Sequence, residues 1–110
     1  MEIHISQNAD LKVLKSDDFK NFKIVFNGAQ NDESPQIIAK ALCTLGTLAD
    51  ENHAWIDAQQ LIVQSGKGHD PAWLRGFHDM TALGRKYGFV QDEPMKIRAH
   101  IEWAVSEGSD

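Results

Sequence analysis

Cationic and imidazole side chains gather late in this chain: Lys67, Arg75, His78, Arg85, Lys86, Lys96 and Arg98. Arg75, His78, Arg85 and Lys86 recur at helical spacing and so share one helix face, with Asp79 among them. Such a face can hold phosphate groups, or it can simply be solvated. The five histidines (His4, His53, His69, His78, His100) offer no metal signature, because no two stand three or four residues apart. His53 and Asp57 are four apart, but a strand and a helix cap are predicted between them. Gly66-Lys67-Gly68-His69 is glycine-rich yet lacks the spacing and terminal Lys-Ser/Thr of a phosphate loop. The free N–H groups at the start of the next helix could hold an anion, with Asp70 competing for them as cap. Cys43, without a basic neighbour, reads as a buried, inert thiol. No catalytic residue, cofactor site or metal site emerges, and a binding module is favoured over an enzyme.

The elements that carry these residues are legible from periodicity and punctuation. Glu2–Ser6, Leu11–Leu14 and Phe22–Phe26 read as strands of a small antiparallel sheet, the last with Phe22, Ile24 and Phe26 on one face. Ser34 as N-cap and Pro35 open a first helix, with an apolar stripe through Ile38, Ala41, Leu42, Leu45, Leu48 and Ala49. Ala39, Cys43 and Gly46 form a small-residue face that suits a close neighbour or a subunit contact. Ala54-Trp55-Ile56 reads as a short strand. Asp57, with Gln60 three residues on, caps a second helix that ends at Ser65-Gly66. Asp70 and Pro71 start a third helix, whose inward stripe is Trp73, Phe77, Met80, Leu83 or Gly84, and Tyr87, with Gly88 as terminator. Phe89-Val90, a turn at Gln91–Pro94 and the strictly alternating strand Lys96–Val105 make a C-terminal hairpin. Trp55, Trp73 and Trp103 are expected to meet in one core with Phe77 and Ile101.

Size and composition bound the reading. The chain of 110 residues is 42% hydrophobic and 25% charged, which suits one globular domain. A single cysteine precludes an internal disulfide. With no leader-like start, and no apolar run near the about 18 residues of a membrane span, a cytoplasmic protein without membrane contact is expected. The formal charge is -5, unevenly placed: residues 1–66 carry 5 Lys/Arg against 9 Asp/Glu, whereas residues 67–103 carry 6 against 5. That balance argues mildly against a nucleic-acid partner, which normally demands a basic excess.

In order, the elements are sheet, helix, short strand, helix, turn, helix, strand, turn, strand. From about residue 35 to 105, with Leu83-Gly84-Arg85-Lys86-Tyr87-Gly88-Phe89-Val90 as a third helix entering a wing, this resembles the winged helix-turn-helix superfamily. The resemblance implies an α+β fold: a winged-helix-like three-helix core with a C-terminal β-hairpin, plus a small N-terminal antiparallel β addition over residues 1–28. It also implies a DNA-binding transcriptional regulator, with duplex DNA against Lys67, Arg75, His78, Arg85, Lys86, Lys96 and Arg98. Against the family pattern, the third helix is long for a recognition helix, and Asp92 and Glu93 in the short wing would repel phosphate. The alternative is an accessory or adaptor protein that uses the same scaffold for protein–protein contacts, as a homodimer through the first helix or the N-terminal strands.

Overall fold

A computed structural model describes residues 1–28 and 31–103. In chain order the elements are β1 (Glu2–Ser6), β2 (Leu11–Leu14), β3 (Lys23–Asn27), α1 (Ser34–Ala41), β4 (Gly46–Leu48), β5 (His53–Asp57), α2 (Ala58–Ser65), α3 (Pro71–Lys86), β6 (Val90–Gln91) and β7 (Lys96–Trp103). The seven strands form one curled, mixed sheet in the order β2-β1-β3-β7-β5-β4, with β6 beside β7. The core is therefore mostly sheet, and the winged-helix reading of the fold is wrong.

The reason lies in β3. Its run Ile24-Val25-Phe26 is buried on consecutive residues, hence on both faces, as in a central parallel strand. β3 runs parallel to β1 and also to β7, with Ile24 opposite Ile3 and Ile101. The N-terminal strands are thus not a separate antiparallel addition, since only β1 and β2 pair that way. β7 is not a free wing either: it joins the two halves of the chain in one sheet. Its alternation holds, with Ile97, Ala99 and Ile101 buried and Arg98, His100 and Glu102 on the other face. The hairpin to β6 is present, with Val90 opposite Ile97. Val105, the expected end of this strand, lies outside the described residues.

The helices cover the inner face. Asp57 caps α2 by accepting from the Gln60 amide at 3.0 Å, and Asp70 caps α3 by accepting from Ala72 and Trp73 at 3.0 and 3.2 Å. α1 is shorter than its apolar stripe suggests. Ser34 is its first residue rather than its cap, and its buried hydroxyl accepts from the Asn31 amide. The helix stops at Ala41, although Leu42 and Leu45 remain buried in the turn that follows. Gly46 opens β4, where a Cβ would stand 2.1 Å from the Trp55 carbonyl oxygen, so its small size serves strand pairing and not helix packing. Ala39, Cys43 and Gly46 therefore share no helix face, and Cys43 is exposed.

Met1, Ile3, Ile5, Ile24, Phe26, Ile38, Leu42, Ile56, Leu61, Trp73, Phe77 and Ile101 belong to one buried cluster, where each large side chain contributes about 1.5–3 kcal/mol. The tryptophans do not meet. Trp73 stacks on Phe77 at 5.2 Å, Trp103 meets Phe26 edge-on at 5.4 Å, and Trp55 is half-buried on the opposite sheet face.

Candidate functional site

β6 and β3 lie end to end along the same edge of β7. Ile97 pairs with both Ile56 and Val90, and His100 with both His53 and Lys23, so β5 holds one edge and β6 and β3 share the other. Phe89, whose carbonyl accepts from the Arg98 amide at 2.7 Å, and Phe22, which precedes β3, flank the seam between them. A groove of about 270 Å³ opens there against the end of α3, walled by Phe19, Phe22, Met80, Leu83, Tyr87 and Phe89. A second hollow of about 250 Å³ adjoins it, shares Phe22, Phe89 and Arg98, and is completed by His53 and His100.

The segment from β2 to β3 builds one wall. It is strapped to α3 by the Trp73 indole N–H, which donates to the Ser16 carbonyl at 2.8 Å, and by the Phe19 ring, 5.6 Å from that of Trp73. Gly76 makes room for it: a Cβ there would stand 2.5 Å from the Phe19 ring. A mid-helix glycine costs about 1 kcal/mol relative to alanine, and here it seats an aromatic wall. The other wall departs from the sequence pattern. Leu83 and Tyr87 fit the inward stripe of α3, yet they are 58% and 63% exposed, and Phe89 is 45% exposed. Five large apolar residues are exposed among those described, and these three line the same groove.

In the hollow, three polar side chains face two phenylalanines. Arg98 Nη2 donates to His53 Nε2 at 3.3 Å, so that nitrogen carries no proton, and His53 Nδ1–H donates to Asp50 at 3.0 Å. Hydrogen bonds from the Asn52 amide and from His53 hold the Asp50 carboxyl below its usual range. The Arg98 guanidinium lies 5.7 Å from the Phe89 ring centroid, within cation–π reach. The His100 ring is 5.7 Å from that of His53. Farther along the same sheet face Lys23 bonds Glu102 at 2.8 Å, which raises the lysine pKa. Arg98 forms no ion pair among the described residues, and no carboxylate lines either hollow.

The seven cationic or imidazole residues singled out from sequence fall on several elements. Arg98 lies in the hollow, and Lys86 stands beside the groove, its Nζ 6.0 Å from the Tyr87 ring centroid. Arg85 is held by Asp92 through two hydrogen bonds at 2.8 and 3.1 Å, which lower the Asp92 pKa. Arg75 is exposed on α3, and Lys67 lies in the turn before it. His78 borders a separate hollow with Asp57 and Met95, and Lys96 opens β7 opposite Asp57. With the winged-helix core absent, the resemblance no longer assigns these residues to a recognition helix and a wing. From sequence, His53 and His100 come into question only as metal ligands, Phe22 and Phe89 belong to strands, and Phe19 and Asp50 receive no role. Glycine in mid-α3 was the one local signal for the aromatic wall, and the seam itself depends on strand pairing. Among the described residues no three His, Cys, Asp or Glu side chains gather as metal ligands, and no helix is long and apolar enough to cross a membrane.

Comparison with protein-family models, with curated proteins and with solved structures finds no match to this chain.

Proposed function

We propose that this chain is a protein-binding module, and that the groove between the end of α3 and the Ser16–Phe22 segment receives apolar side chains of a partner. The observation that carries the reading is the bare end of the α3 stripe: Tyr87, and Leu83 at the stripe position it shares with Gly84, are left uncovered by the fold. Contiguous exposed apolar surface of this kind marks interaction sites. Its make-up of Tyr, Phe, Met and Arg is the composition enriched where binding energy concentrates. The groove is smaller than the roughly 300–1,000 Å³ of an enclosing small-molecule site, and its apolar rim faces outward. A partner's side chains can cover that rim, whereas a small ligand would leave much of it bare. Lys20 and Arg98 at the groove, with Lys86 beside it, favour an acidic partner for a chain of overall negative charge.

Panning a random peptide display library on the immobilised chain tests this. Wild type is expected to enrich peptides with bulky apolar residues, and Leu83→Glu and Tyr87→Glu to lose them while the chain stays folded. No enrichment, or enrichment indifferent to both substitutions, would overturn the reading.

A further inference from the structure

Where the groove meets β7, its lining turns from apolar to cationic. We propose that this end is a seat for the free C-terminal carboxylate of the partner chain, whose last apolar side chain lies in the groove beside it. The inference rests on the binding reading above and supplies the partner's chemistry.

Arg98 is the anchor. A guanidinium carries five N–H donors in a planar fork matched to a carboxylate, and the described contacts engage one side-chain donor, with His53. Its orientation is set from two sides. The Phe89 ring lies against it, and Asp50 fixes the His53 proton on Nδ1, so Nε2 meets Arg98 as an acceptor and not as a competing donor. Neither contact neutralises the cation. His100, exposed and next to His53, offers a further ring N–H to the same hollow. An anion arriving here therefore meets an oriented fork and no carboxylate competitor among the described residues.

The shared walls indicate which carboxylate. The histidine-lined hollow and the apolar groove have Phe22, Phe89 and Arg98 in common. An anion on Arg98 thus lies beside the aromatic wall, and an α-carboxylate and its own side chain diverge from one carbon over just such a span. A chain that ends at Arg98 needs no exit. An internal Asp or Glu places its carboxylate on a side chain separate from the apolar one, so the two groups no longer diverge from a single carbon.

The test is a titration of the full chain, followed by NMR, with N-acetyl-leucyl-phenylalanine and its C-terminal amide, reading dissociation constants from shifts at Leu83 and Tyr87. The acid is expected to bind about tenfold tighter than the amide. Arg98→Gln is expected to abolish the difference between acid and amide, and unchanged backbone amide shifts along α2, far from the groove, show that the variant is folded. Arg98→Lys, which keeps the charge without the fork, is expected to retain only part of the preference. Equal binding of acid and amide by wild type, both shifting Leu83 and Tyr87, would overturn the seat and leave the groove reading standing. N-acetyl-aspartyl-leucyl-phenylalaninamide binding as tightly as the acid would overturn the terminal carboxylate in favour of an acidic side chain. Shifts at Leu83 and Tyr87 from none of the peptides at millimolar concentration would overturn both.

Discussion

Single residues carry the division between core and groove. Phe77 is 1% exposed and stacked on Trp73, so Phe77→Ala is expected to cost about 3–5 kcal/mol, read from the urea midpoint. Leu83 lies six residues beyond Phe77 on the same helix and Tyr87 just past its end, yet Leu83→Glu and Tyr87→Glu are expected to shift stability by no more than about 0.5 kcal/mol, because both side chains are already in water. A loss comparable to that of Phe77→Ala would mean that the stripe is covered after all. Gly46→Ala is expected to destabilise by about 1–3 kcal/mol, since the carbonyl its Cβ would strike is backbone and cannot rotate away. Composition could not separate these cases. Met80, Leu83 and Tyr87 keep the spacing of Trp73 and Phe77, and what differs is whether another element reaches them.

At the scale of elements, local rules worked where the determinant was local. The caps Asp57 and Asp70, the Pro71 start of α3 and the alternating faces of β7 all stand where the sequence placed them. Asp70→Ala is expected to cost about 1 kcal/mol, because two amides lose their acceptor, and thermal denaturation would measure it. α1 shows the limit of such rules. Leu42, Leu45 and Leu48 extend its apolar period, but Gly46 and Thr47 are poor helix formers, and pairing of Thr47 with Trp55 and of Leu48 with Ala54 decides the matter. β3 shows another. Three consecutive buried apolar residues were the sign of a central strand, whereas alternation through Phe22 suggested a half-exposed one. Phe22 instead lies outside β3 and walls the groove.

For the whole molecule, the order of elements suggested the wrong architecture. Helices followed by a hairpin suit a wing only when the N-terminal strands stay outside that small sheet, and here β7 pairs in parallel with β3 and draws them into it. Such long-range pairing is set by contacts between residues far apart in sequence, and no periodicity in one segment reports it. The charged surface has its own test. Asp18, Asp50 and Asp92 are held below their ordinary 3.8 by hydrogen bonds from Asn21, from the Asn52 amide and from Arg85 respectively, and Glu2 below 4.5 by His4. A carboxyl whose folded value lies below its unfolded one takes up a proton on unfolding, so its stabilisation is present above 3.8–4.5 and lost as pH falls through the lowered value. The urea midpoint is therefore expected to decline as pH is lowered from about 5 to about 3, and Asp92→Asn to flatten part of that decline.

The central claim, that the seam beside β7 and the end of α3 form the binding surface, is tested most directly by mapping the chain with a set of small aromatic fragments and following every backbone amide by NMR. The largest shifts are expected at Leu83, Tyr87, Phe89 and Arg98. Maxima at the hollow of His4, Asp10, Lys12 and Asn27, or at that of Asn31, Pro35, Glu51 and Trp103, with the end of α3 silent, would contradict it.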